Sequence, residues 1–263
     1  MQKRLLWAIV VVVVLVLGVV LVINLSSRPP EVAEVVDLES IQAQIDAGEF
    51  QSAKTALEGI LSSNPEDAEV HFLLGLTYFN LEDYTQAKEF FNRAMELDPG
   101  RAGAVHHNLG VLAYQLGDME TALAEFQSAL DIDPTDPDTH YQLGAAYLVM
   151  AFPMGALEPE AEYLAKSQTE FEEALELVPD KPEALVGLAN VYMFQNQFPD
   201  AIALLEKAIE QNPDMREALF ALGRAYAVTG QTDLAKQTLE HFLETDPPEV
   251  WSQQAQEILD QIP

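Results

Sequence analysis

Six prolines punctuate this chain at nearly constant intervals. Pro65, Pro99, Pro134, Pro179, Pro213 and Pro247 stand 34, 35, 45, 34 and 34 residues apart. The words around them repeat: AMELDPG at 94–100, ALDIDPT at 129–135, ALELVPD at 174–180 and AIEQNPD at 208–214. A fixed period of this length specifies stacked supersecondary units, none of which can bury its apolar face alone. The fold class that follows is an all-α solenoid.

The pattern inside one period is helical. In 68–101, Val70, Leu73, Leu74, Thr77, Tyr78 and Leu81 form one stripe. LEDY at 81–84 supplies turn residues, and Ala87, Phe90, Phe91, Ala94 and Leu97 form a second stripe. Asp98-Pro99 closes it, because proline lacks an amide hydrogen and disfavours helix in the residue before it. Small residues recur at one register of the first helix (Gly75, Gly110, Gly144, Ala189, Gly223), and alanines at one register of the second (Ala87, Ala122, Ala201, Ala235). Large ones fill the neighbouring register: Leu57, Phe91, Phe126, Phe171, Leu205 and Leu239. Glycine destabilises a helix by about 1 kcal/mol relative to alanine. Its repetition at one site predicts a crossing with no room for a side chain.

Leu74, Gly75 and Tyr78, followed by Ala87, Phe91, Ala94 and Pro99, resemble the tetratricopeptide repeat. The resemblance covers 34–249 as units 34–67, 68–101, 103–136, 137–181, 182–215 and 216–249, with 250–263 as a capping helix through Trp251, Ile258 and Leu259. It implies a right-handed α-solenoid of six helical hairpins whose first helices line a concave face. The residues then placed on that face are Phe72, Leu76 and Phe79; His107, Val111 and Tyr114; Tyr141, Ala145 and Leu148; Val186, Asn190, Met193 and Phe194; and Phe220, Arg224 and Ala227. Glu69, Asp138, Glu183 and Glu217 rim them. Two readings stand: a binding groove for a partner segment, or plain core if the superhelix is tight. The family's carboxylate clamp of Lys, Arg and Asn is a poor match, since only Asn190 and Arg224 are of the right type.

The 45-residue interval holds an 11-residue insert within 150–167. Pro153, Gly155 and Pro159 break helix, and AEYLAKSQTEFEEALEL restarts it. This is either a longer loop with an extended second helix or a contact arm that presents Phe152, Met154 and Leu157 to the groove or to a partner.

Ahead of the repeats, a tail at 1–4 precedes LLWAIVVVVVLVLGVVLVINL, residues Leu5–Leu25, which carries no charge. As a helix it spans about 31 Å at roughly 1.5 Å per residue, the thickness of a bilayer core. A cleaved signal has a shorter apolar core and small residues at its cut site. The sequence therefore reads as an uncleaved anchor with a short linker at 26–35. Lys3 and Arg4 before it, against Arg28 after it, place the N-terminus in the cytoplasm and the repeats outside. A cytosol-facing repeat domain is the alternative topology.

Beyond residue 30, ten basic residues face 43 acidic ones, a net −33. That field repels phosphate backbones and argues against nucleic acid as a partner. The chain has no cysteine, which removes disulfides and thiol catalysis. No GxSxG, P-loop, HExxH or GxGxxG occurs, so no enzyme is expected, and no metal or cofactor. His71, His106 and His140 share a register. Equivalent atoms of successive repeats lie about 10 Å apart, too far to share one ion, so these histidines read as packing residues. DIDPTDPD at 131–138 lacks the glycine and distal glutamate of a calcium loop. Asp133-Pro134 reads as the repeat-ending turn, and Asp136 or Asp138 as a cap of the next helix. The functional expectation is a membrane-anchored scaffold, adaptor or chaperone that binds an extended apolar or basic segment. The alternative is a homo-oligomeric envelope module with the groove buried by self-association.

Overall fold

A computed structural model describes residues 37–153 and 158–262. The expected anchor Leu5–Leu25, the flanking tail and linker, and Met154 and Leu157 of the insert lie outside the described residues. Among the described residues no helix is long and apolar enough to cross a membrane.

The described chain is all α. Thirteen α-helices run as α1 (Leu38–Asp46), α2 (Phe50–Ser63), α3 (Ala68–Asn80), α4 (Tyr84–Leu97), α5 (Ala102–Gln115), α6 (Met119–Ile132), α7 (Pro137–Met150), α8 (Ala161–Leu177), α9 (Pro182–Phe194), α10 (Phe198–Gln211), α11 (Arg216–Val228), α12 (Thr232–Glu244) and α13 (Glu249–Gln261). They pair in order as six hairpins followed by a single closing helix.

Local chemistry sets the helix ends. Asp67 accepts from the amides of Glu69 and Val70, Asp83 from Gln86, Asp118 from Thr121 and Asp136 from Asp138. Each satisfies amides that a helix start leaves unpaired. Asp133 likewise turns its carboxylate onto Thr135 at 3.0 and 2.7 Å, so within 131–138 Asp133 forms the turn and Asp136 the cap. Between the helices of the regular hairpins one residue adopts the left-handed conformation. It is Gly48, Gly117 or Gly230 in three hairpins, but Glu82 and Asn196, both at φ 61°, in two others. That conformation lets the next amides return to the carbonyls of the last turn, as Glu82 N–H does to Phe79 and Asp83 N–H to Tyr78.

The hairpins are held by a glycine pressed against a ring. A Cβ added at Gly75 would sit 2.5 Å from Phe91, at Gly110 2.6 Å from Phe126, and at Gly144 2.9 Å from Phe171. All three rings are essentially inaccessible to solvent. Burying such a ring contributes about 1.5–3 kcal/mol, and only a residue without Cβ lets the two helix axes approach so closely. The same register holds Ala189, in one cluster with Leu205, and Gly223, whose Cβ would lie 2.6 Å from Leu239. Gly187 adds a contact that the register did not announce: its Cβ would lie 2.5 Å from Phe171 of the preceding hairpin. Neighbouring hairpins are also joined by a recurring bond. Tyr78 donates to Glu58 and Tyr226 to Glu206, each 20 positions back in the preceding second helix.

Consecutive first helices (α1, α3, α5, α7, α9, α11) touch one another along the array, whereas consecutive second helices do not. The stack therefore curves with the first helices inside. At the C-terminus α13 covers Leu219, Leu239 and Phe242 with Trp251, Ile258 and Leu259, and its glutamines face water. After the insert the second helix is lengthened. Helix α8 has 17 residues against 14 in α6, and the Glu160 amide bonds the Ala151 carbonyl at 2.8 Å to close the loop base.

The Gly75–Phe91 crossing yields a test. Gly75→Ala is expected to lower stability, because overpacking of about 1–3 kcal/mol exceeds the roughly 1 kcal/mol that alanine adds to helix propensity. In the Phe91→Ala background, which removes the ring, the same change should cost less. A double-mutant cycle by urea unfolding that gave simple additivity would rule out the crossing as the limit.

Candidate functional site in the concave face

The inner face divides into two stretches of different character. On α3 and α5 the chain satisfies much of its own surface. The Arg101 guanidinium pairs with Glu69 and lies 5.9 Å from the centre of the Phe72 ring, which itself packs 5.7 Å from Phe91. Phe79 meets Tyr84 at 5.7 Å, and Leu76 packs on the same N-terminal core. His107 donates from Nδ1 to the Thr139 hydroxyl at 2.7 Å, and that hydroxyl donates to Asp136. Burial holds the His107 ring below the usual histidine pKa, outweighing the opposing pull of Asp136 and Asp138. Here the plain-core reading describes the face better than an open groove does.

On α7, α9 and α11 the face opens. A cavity of about 540 Å³ is lined by Tyr114, Tyr141, Leu148, Asn190, Phe194, Phe220 and Arg224 from the expected set. Ala145 and Val186 complete its floor. Met193 instead packs into the core below, and Phe72, Leu76, Phe79 and His107 lie outside the cavity. The volume is within the range of about 300–1,000 Å³ usual for ligand clefts. Part of its wall is stacking core, since Phe171, Val186, Gly187 and Ala221 are buried, and part stands clear of it. Phe194 remains 43% exposed, and Val149 beside it 45%.

Two walls come from the irregular parts of the chain. Phe152, at the start of the insert, packs against Phe194 at a tilt of 50° with ring centres 4.4 Å apart. The insert thus contributes to the groove through Phe152, between the two readings the sequence allowed. Trp251 of α13 lies 5.6 Å from Phe220, so the capping helix also closes one end of the cavity. Phe152 was recognisable as a loose apolar residue, but Trp251 read only as a cover for the last hairpin. Val149 and Met215 also line the cavity without a periodic signal.

The rim differs from the expectation of four open carboxylates. Asp138 is paired with Lys181, whose ammonium also stands 3.9 Å from Glu183 and 5.8 Å from the Tyr141 ring centre. A lysine is therefore present at the edge of a face read as lacking one. Helix α9 begins at Pro182, so residue 181 precedes the inward register and escapes a pattern count. Burial, and after it the charges of Glu183, Tyr114 and Glu217, raises the Tyr141 pKa and keeps its hydroxyl a neutral donor. A second cleft of about 870 Å³ lies beside the cavity, lined by Glu183, Asp214, Glu217 and Glu244 among others.

The histidines that share a register are spent on packing bonds. His71 and His140 turn Nε2 onto the carbonyls of Pro65 and Pro134, six residues back, at 3.0 and 3.1 Å. His106 and His140 turn Nδ1 onto Glu125 and Glu170 at 2.7 Å. In the second hairpin Phe90 takes the place of that glutamate, its ring centre 5.6 Å from His71.

Stability should report the burial of His107. The unfolded ring takes up its proton near pH 6.5, before the folded ring does, so this contribution is complete above that value and is lost as the pH falls through it. Between about pH 7.5 and 5.5 the wild-type melting temperature should fall more than that of His107→Gln. Equal slopes would remove the burial argument.

Models of the family described as tetratricopeptide repeat match residues 38–102, 164–205 and 195–257, and a TPR repeat model matches 110–150. The human Superkiller complex protein 3 is 47% identical over 51 residues, which is 19% of this chain and 3% of that protein. The chain thus spans a small fraction of the length of that curated relative. Among solved structures, Pseudomonas aeruginosa PilF superposes with a TM-score of 0.69 at 19% identity, covering 83% of this chain and 94% of PilF. PilW, described as a widely conserved type IV pilus biogenesis factor, gives 0.67 at 18% identity over 82% and 94%. Yeast Tom70 gives 0.61 at 20% identity over 80% and 42%. At these identities the likeness is one of fold. With models of one repeat matching from residue 38 to residue 257 and the hairpin stack on the page, this chain belongs to the tetratricopeptide repeat family.

Proposed function

We propose that this protein is a membrane-anchored scaffold or chaperone that holds an extended segment of a partner protein in the concave face of its repeats. It performs no chemical step of its own. The observation that carries the reading is the open cavity across α7, α9 and α11, where Phe194 and Arg224 stand exposed at the edge of a largely apolar wall. Contiguous apolar surface left at such a place marks a docking site. Asn190 and Arg224 lie among the apolar walls and suit hydrogen bonding to the main chain of an extended peptide.

The uncharged stretch Leu5–Leu25 supports the anchor, and the basic residues before it favour an N-terminus in the cytoplasm with the repeats on the far side. The net −33 beyond residue 30 weighs against burying the groove on a second copy, since two such bodies repel.

A photoreactive residue at Phe194 is expected to crosslink a different protein in cells, and one at Phe79, on the satisfied stretch, to do so weakly. Capture of nothing but this protein itself would favour the homo-oligomeric module. Topology has its own measurement. Protease added outside spheroplasts should digest the repeats. Protection until the membrane is opened would give the cytosol-facing arrangement instead.

A further inference from the structure

We infer that the segment taken by this groove is apolar and basic at neighbouring positions, with a bulky apolar side chain in the cavity and a lysine or arginine beside it in the acidic cleft. The inference rests on the reading of the cavity as a partner site and names the chemistry of the occupant.

The cavity and the cleft are continuous. Tyr141, Glu183, Met215 and Glu217 line both, so an occupant can pass from one to the other without leaving the surface. The cavity side offers Leu148, Phe152, Phe194 and Phe220, and the cleft side Glu183, Asp214, Glu217 and Glu244. Three basic side chains reach the cleft, and none of them is bonded to Glu217 or Glu244: Lys181 stands 3.9 Å from Glu183, His241 bonds Asp214 at 3.0 Å, and Arg216 donates to the Thr245 carbonyl at 2.8 and 3.1 Å. Negative potential is therefore left for an incoming charge, in a chain that is acidic throughout.

The groove also has a direction. Glu183 and Glu217 lie seven residues before Asn190 and Arg224 on the same helices, about 10 Å along the axis. Arg224, its guanidinium carbon 5.7 Å from the Phe220 ring centre, repels a cation at that side. A basic residue is thus favoured only toward the starts of α9 and α11. An acidic apolar segment would meet Glu183 and Glu217 with like charge and is disfavoured.

The test uses the full chain in nonionic detergent with Trp7→Phe, which leaves Trp251 in the cavity wall as the only tryptophan. Three short synthetic peptides serve as probes: alternating Phe–Lys, alternating Phe–Glu and alternating Ser–Lys. Saturable change in Trp251 emission is expected with Phe–Lys alone. In Glu183→Gln/Glu217→Gln, with an unchanged melting curve, its affinity should fall about ten-fold. Equal or tighter binding of Phe–Glu, or of Ser–Lys, overturns the inference, as does a Phe–Lys affinity indifferent to the double substitution. No response to any peptide, with Phe194 crosslinks to a partner intact, overturns the occupant's chemistry but leaves the groove. Loss of those crosslinks removes the groove reading itself.

Discussion

The contact on which the rest of the structure depends is a backbone pressed against a ring. Gly75, Gly110 and Gly144 bring one helix so near Phe91, Phe126 and Phe171 that a methyl group would overlap the aromatic carbons. That proximity fixes how each hairpin crosses, and a fixed crossing repeated along the chain produces a regular stack. Along the stack the first helices touch their equivalents in the next hairpin and the second helices do not. Curvature follows, and with it an inner face.

What that face can do depends on whether its side chains find partners within the chain. On α3 and α5 they do: Arg101 covers Phe72 and neutralises Glu69, and His107 is tied through Thr139 to Asp136. On α9 and α11 the equivalent positions hold Val186, Asn190, Phe220 and Arg224, which leave a void instead of filling it. The irregular parts of the chain then shape the void. The insert supplies Phe152 against Phe194, and the closing helix supplies Trp251 against Phe220. Function in this reading is concentrated where the repeat pattern is interrupted, between a lengthened hairpin and the end of the array.

The fold was legible because periodic features report on helix geometry that every hairpin shares. Pro99 ends α4 two residues after Leu97, Asp136 caps α7 as its residue type suggests, and Ile258 and Leu259 cover the last hairpin. The site was legible only in part. The inward register contains Tyr114, Tyr141, Leu148, Phe194 and Phe220, which line one cavity, but it gives the same weight to Phe72, Leu76 and Phe79, which pack against their own surroundings. Nothing periodic distinguishes the two sets, because the difference lies in side chains from other hairpins. Arg101 is the clearest case, reaching back 32 residues to Glu69.

By itself the sequence determined the repeating hairpin, its close crossings and the strong negative charge, since each follows from residue type at a local or one-repeat spacing. It also carries the uncharged stretch at 5–25. Only the tertiary structure decided which carboxylates stay open, which rings are covered, and that Phe152 and Trp251 wall the same cavity. Those outcomes depend on how α7, α9, α11 and α13 are set against one another. That geometry is the sum of many small crossings, and no single one of them is written in a motif.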